Sequence, residues 1–142
     1  MLGYWNNPAA TAEVLRGDWL RTGDLATRDA EGFLTLVGRA RHMYISGGEN
    51  VYPAEIERVY LEHPGVREIA VVGVPDPKWG EVGCAYVVPT PGAAFDAEAL
   101  LAWGRERLAG FKLPKRFVAV AELPKTETGK VQKHRLAPPP GP

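Results

Sequence analysis

The sequence predicts an α+β fold in which helices pack on a short sheet preceded by a hairpin arm. Three observations carry this reading. Two stretches of helical periodicity alternate with three β-rich runs, and a pair of extended stretches joined by a polar turn stands before them. The 142 residues, 45% hydrophobic and 24% charged, suffice for one core with a short extra segment and not for a second full core.

Each element follows from its local chemistry. Asn7-Pro8, then Ala9 to Leu15 and Gly17, reads as a short helix from Pro8 to Arg16, with a polar cap, proline in the first turn and glycine past the end. Arg21 to Thr27 and Gly32 to Arg39 flank a polar turn, and Phe33, Thr35 and Val37 alternate on one face, which predicts a β-hairpin. The dense polar patch Arg39-Ala40-Arg41-His42 marks a boundary near Arg41. Pro53 to Leu61 places Ile56, Val59 and Tyr60 on one helical face, with acidic residues early and His63-Pro64-Gly65 as a stop. Ile69 to Val74 and Gly83 to Val88 are β-rich runs joined by the loop Pro75 to Glu81. Asp96 caps a helix from Ala97 to Leu108, with Leu101 and Leu108 on its inner face and Gly110 at its end. Arg116 to Val120 is a third strand, and Lys125 to Lys133 a polar, threonine-rich loop. Ala137 to Pro142 can neither pack nor donate enough hydrogen bonds and is expected to be a disordered tail.

Composition excludes several function classes. Seventeen basic residues against seventeen acidic ones give no net charge, which argues against a nonspecific grip on nucleic acid. The apolar run Ile69 to Val74 is far short of the roughly 18 to 20 residues that span a bilayer. Met1 to Asn7 has neither the basic start nor the apolar core of a secretory signal, so a cytoplasmic location is expected. The single cysteine, Cys84, has no partner for an internal disulfide and reads as a small buried strand residue. His42, His63 and His134 lack metal-ligand spacing, and no metal ligand is expected. The four tryptophans read as core or interface fillers.

Three polar stretches could carry chemistry. In Arg21-Thr22-Gly23-Asp24 the carboxylate could accept from two neighbouring sugar hydroxyls; the alternative is an ordinary turn aspartate. The paired glycines of Ser46-Gly47-Gly48-Glu49 could let a narrow ligand pass close to the main chain, or form a flexible loop without one. Lys130, after Thr128-Gly129, is either a solvated lysine or a point charge for negative charge growing on a phosphate oxygen. From Lys112 to Arg135 seven basic residues face two acidic ones, a local excess that suits an anionic small molecule.

Taken in order, these stretches resemble the carboxy-terminal portion of the adenylate-forming enzymes, which include acyl-CoA synthetases, luciferase-like enzymes and peptide-synthetase adenylation domains. The residues that carry the likeness are Gly3 to Pro8, Trp19 to Asp24, Gly38-Arg39, Ser46 to Glu57, Val72 to Asp76, Gly80-Glu81, Pro124 to Thr126 and Thr128 to Lys130. The resemblance implies a two-step reaction in which a carboxylic acid and ATP give an acyl-adenylate, and coenzyme A then takes the acyl group as a thioester. It implies that Asp24 and Arg39 bind the nucleotide and that Lys130 is the catalytic residue of adenylation. It also implies a hinge at Arg41, about which a mobile lid rotates to bring Ser46, Gly47, Gly48 and Glu49 to the pantetheine passage. Lys112 and Arg116 are its candidates for the phosphates of coenzyme A. Mg2+ is expected with ATP, bound mainly by a large amino-terminal domain that is not in this stretch.

On this reading residues 1–40 end that large domain, 41–136 form the lid and 137–142 the tail, so the chain alone is expected to be inactive. The expected acid is fatty or aryl, with a long- or medium-chain fatty acid as the default, because the residues that would select it lie elsewhere. Two departures concern the hinge, where Arg41 replaces the usual Asp or Lys and His42 the usual following Asp. Two rivals stand beside this reading. One is a non-catalytic lid, or a module that binds coenzyme A or a carrier protein; the other is part of a peptide-synthetase adenylation domain.

Overall fold

In the long strands β7 (Val66–Asp76) and β8 (Gly80–Pro89), alternate residues enter two different cores. Ile69, Val71, Ala85 and Val87 join Tyr44, Val51, Ile56, Tyr60 and Leu100 on the helix-bearing face. Ala70, Val74, Val82, Cys84, Tyr86 and Val88 pack with Leu123, Val131 and Leu136 on the opposite face. Side chains of a strand alternate sides, so a sheet covered on both faces reads as an unbroken apolar run. This explains the near-continuous Ile69 to Val74 and Gly83 to Val88.

These relationships come from a computed structural model that describes residues 1–136; the expected tail, 137–142, lies outside the described residues. The element order is α1 (Pro8–Val14), β1 (Leu15–Arg16), β2 (Trp19–Leu20), β3 (Asp24–Arg28), β4 (Leu34–Arg39), β5 (Tyr44–Ser46), β6 (Glu49–Val51), α2 (Pro53–Leu61), β7, β8, α3 (Ala97–Arg105) and β9 (Arg116–Ala119). β8 is the hub of the main sheet. It pairs antiparallel with β7 along its length, parallel with β9 from Cys84 to Val87, and with β5 at Ser46↔Gly80. β1–β2 and β3–β4 are separate two-stranded ribbons.

The local signals explain most boundaries. Asn7 caps α1 by accepting from the Ala10 amide, and the Asp96 carboxylate accepts from the Glu98 and Ala99 amides to cap α3. The first helix is shorter than expected. It stops at Val14 because Leu15-Arg16 pairs with Trp19-Leu20, and Gly17 serves that hairpin's turn and not a helix end. α3 likewise ends at Arg105, and its inner face is set by Leu100 and Gly104 with Trp103 and Leu108 beside them, in place of Leu101. The expected Pro75 to Glu81 loop is mostly strand. Its turn is tightened by Asp76 Oδ1, which accepts from the Lys78 and Trp79 amides.

A short 3-10 turn, Ala40–His42, joins the β3–β4 ribbon to the main sheet. The ribbon exposes Phe33, Leu34 and Leu36, whereas Leu25, Val37 and Gly38 near its α2 end are half-buried. Among the described residues no helix is long and apolar enough to cross a membrane.

Candidate functional site

Asp24 opens β3 and Arg39 closes β4, and antiparallel register makes them direct partners. Arg39 Nε lies 2.7 Å from Asp24 Oδ1, and its Nη1 donates to the Thr22 carbonyl at 2.8 Å. The planar guanidinium suits this double duty, because its fixed fork addresses two acceptors at once. Arg39 therefore holds the Thr22-Gly23-Asp24 corner and leaves Asp24 Oδ2 to accept from a further donor. A hollow of about 430 Å³ beside the pair is lined by Arg21, Thr22, Gly23, Arg39 and Arg41.

Lys130 stands on a closed turn. Lys125 and Val131 form an isolated β-bridge, the Thr126 amide donates to the Lys130 carbonyl at 2.8 Å, and the Lys130 amide donates to Thr126 Oγ at 3.1 Å. Gly129, at φ +80°, takes the left-handed conformation that the reversal needs. The threonines are thus part of the turn's own hydrogen bonding, and the exposed lysine is presented by ordered backbone. Lys130 shares a cleft of about 610 Å³ with Arg41, His42, Glu81, Thr126 and Lys133. The lysine and the expected hinge residue, 89 positions apart in sequence, both line it. Burial first, then the Lys133 and Arg41 cations, hold the His42 pKa below 6.5.

Gly47 and Gly48 form the two-residue turn between β5 and β6, with Ser46 paired to Glu49. Their φ values, +60° and +90°, are those of a hairpin turn that needs left-handed residues at both positions. The loop is thus a two-residue reversal between paired strands. The Gly47 amide donates to the Trp79 carbonyl at 2.9 Å, and a Cβ on Gly47 would stand 2.9 Å from Trp79 Cε3. Gly48 faces open space. This turn does not line the Lys130 cleft.

The basic carboxy-terminal stretch is less available than its charge count suggests. Lys112 pairs with Glu55 at 2.7 Å, Lys125 with Glu68 and Lys133 with Glu57, so three of its seven cations are neutralised by carboxylates from α2 and β7. Arg116 lies on β9 opposite Cys84, apart from the Lys112 pair. Cys84 is fully buried, and burial pushes its thiol pKa up. Among the described residues no three His, Cys, Asp or Glu side chains converge as a metal site.

Two features escape the sequence, one ion pair and one aromatic wall. Glu57 and Lys133 join across 76 positions, and the only signal was charge complementarity between a helix and a distant loop. Trp79, read as a filler, forms the wall against Gly47.

The architecture is that of the small lid domain of the adenylate-forming enzymes. The o-succinylbenzoate CoA synthetase from Bacillus subtilis, solved with the acyl-adenylate intermediate OSB-AMP, has a TM-score of 0.88 to this chain at 41% identity, with 94% of this chain and 27% of that one covered. The chain belongs to the AMP-binding enzyme C-terminal domain family, whose model matches residues 55–130. A feruloyl-CoA synthase from an Amycolatopsis species is 54% identical over 133 residues, 94% of this chain and 27% of that protein. The long-chain-fatty-acid–CoA ligase of Bacillus subtilis is 48% identical over 136 residues, 96% of this chain and 24% of that protein. The chain spans about a quarter of the length of these relatives.

Proposed function

We propose that this chain is the carboxy-terminal part of an ATP-dependent acid:CoA ligase, which forms an acyl-adenylate and then an acyl-CoA thioester. The observation that carries this reading is the placement of Lys130 on a closed turn that lines one cleft with Arg41. A point charge presented this way can be brought to a reaction centre and withdrawn by rotation at Arg41, without rebuilding the turn. The names of the relatives support the same activity.

In this reading residues 1–40 finish a large adenylation domain and 41–136 form the lid. The exposed Phe33, Leu34 and Leu36 of the ribbon fit a segment that completes its packing against more protein. Asp24 holds the ribose hydroxyls through its free oxygen, with Arg39 fixing its orientation and contacting the nucleotide. Lys130 stabilises the charge that develops at the phosphate and carboxylate oxygens. Rotation then replaces Lys130 by the Ser46-Gly47-Gly48-Glu49 turn, whose two missing side chains leave room for a pantetheine arm. Arg116 is the better of the two candidates for a phosphate of coenzyme A, because Lys112 already serves Glu55. Mg2+ accompanies ATP and is held mainly by the large domain.

The acid is set outside these residues. Relatives at similar identity are named for ferulate and for a long-chain fatty acid, so fatty and aryl acids both stay open and the fatty acid is not preferred. The test is ATP-dependent pyrophosphate release with a panel of fatty and aryl acids, using this chain alone and joined to the large domain. Release only in the joined protein supports the ligase reading and identifies the acid; release in neither moves the assignment to a binding module.

A further inference from the structure

We propose that Glu57 is a positioning residue for the Lys130 turn, acting through Lys133. Glu57 Oε1 accepts from two groups: the Lys133 ammonium and, at 2.7 Å, the Val71 amide of β7. β7 pairs only with β8, so Val71 N–H sits on the strand's unpaired side and the carboxylate satisfies it. One oxygen thereby ties three parts of the molecule together: α2, the edge of the main sheet, and the segment that leaves the lysine turn.

This pair is the most enclosed of the ion pairs around the turn, with side chains 14% exposed at Lys133 and 18% at Glu57. The other stay, Lys125 to Glu68, is more open at 39% and 29%. Water competes less at the first, and two hydrogen bonds already meet on the carboxylate, so it sets the turn's place more firmly. Glu57 is itself fixed, because its neighbours Ile56 and Tyr60 on α2 are fully buried in the helix-side core. Only two residues, Val131 and Gln132, separate Lys133 from Lys130. The exposed lysine is therefore referred to the helix-side core through Glu57, in addition to its neighbour Val131, which packs on the opposite core.

The expected catalytic consequence rests on the ligase reading, whereas the mechanical one does not. Without the tether the turn keeps its internal hydrogen bonds but loses its fixed position. A misplacement of about 1 Å at a reacting centre can cost on the order of 10²-fold in rate. Adenylation then suffers, while thioester formation, which does not use Lys130, is spared.

The test compares Lys133→Met, which removes the charge and keeps the stem, with Lys133→Arg and Glu57→Gln. In the chain itself, backbone 15N order parameters of Gly129 and Lys130 are expected to be about 0.85 in the parent and in Lys133→Arg, and to fall toward about 0.6 in Lys133→Met and Glu57→Gln. The His42 titration gives a second readout. Losing the Lys133 cation should raise the His42 pKa, and losing the Glu57 anion should lower it. In the joined enzyme, adenylation should fall at least about tenfold in Lys133→Met, with Lys133→Arg restoring it and thioester formation within about twofold.

Unchanged order parameters in both charge-removing variants overturn the tether. A loosened turn with unchanged adenylation overturns the positioning role. If the parent enzyme itself fails to adenylate, the ligase reading falls, and the order parameters still decide the tether.

Discussion

Asp24 and Arg39 are strand partners at the end of the β3–β4 ribbon opposite its turn, and their side chains meet at 2.7 Å. Both remain partly exposed, so the pair contributes only about 0–1 kcal/mol to stability. Its value is orientation of a carboxylate. Asp24→Asn is expected to leave the melting temperature of the chain within about 4 °C of the parent. The same change should weaken ATP binding in the joined enzyme at least tenfold, about 1.4 kcal/mol. Calorimetric titration checks this, and unaltered ATP affinity would remove Asp24 from the nucleotide site.

Gly47 and Gly48 share a positive φ but not a neighbourhood. An added methyl costs about 1–2 kcal/mol at either position for the left-handed backbone. At Gly47 it also meets the Trp79 ring. Thermal unfolding should therefore rank Gly47→Ala below Gly48→Ala, with Gly47→Ala in a Trp79→Ala background recovering part of the difference. An equal loss in both single variants would contradict the packing account. If the open side of Gly48 is the thiol passage, Gly48→Ala should slow thioester formation more than adenylation.

Gly104 marks the closest approach of α3 to α2. A Cβ there would stand 2.1 Å from the buried Tyr60 hydroxyl and 2.9 Å from Leu113 Cδ2. Tyr60 has no room to withdraw, being fully enclosed. Gly104→Ala should destabilise by about 1–3 kcal/mol despite alanine's better helix propensity. Tyr60→Phe combined with Gly104→Ala should recover part of that loss in a denaturant titration. A neutral Gly104→Ala would show that the helices separate easily.

Much of this organisation was legible in the sequence, and the failures share a cause. The α2 face, the Asp96 cap and the strand runs all follow from local spacing and capping chemistry. What escaped was decided by distant partners. α1 yields its last turn to a pairing of Leu15-Arg16 with Trp19-Leu20, a tertiary choice that propensity does not register. The local cationic excess of residues 112–135 was a correct count but an incomplete picture, because Glu55, Glu57 and Glu68 answer three of its charges. The paired glycines were visible, yet only the register Ser46↔Glu49 shows that the turn itself demands them.

His42 gives a dependence on pH. The folded state favours its neutral form, through burial first and then Lys133 and Arg41, so its folded pKa lies below its unfolded value near 6.5. Between those two values the unfolded chain holds more protons, and stability rises with pH. On acidification the parent should therefore lose stability relative to His42→Gln from about pH 6.5 downward, levelling off below the folded pKa. Denaturant titrations of both proteins from about pH 7.5 to 5 measure this difference. A constant difference across the range would show that His42 feels no such environment.

The central claim is that Lys130 serves one half-reaction and is absent from the other. The direct test is Lys130→Ala in the joined enzyme, with pyrophosphate-forming adenylation and thioester formation from preformed acyl-adenylate measured separately. The adenylation rate is expected to fall by about 10² to 10³ or more, as for loss of a transition-state charge partner, with thioester formation close to the parent rate. Equal losses in the two half-reactions would contradict it.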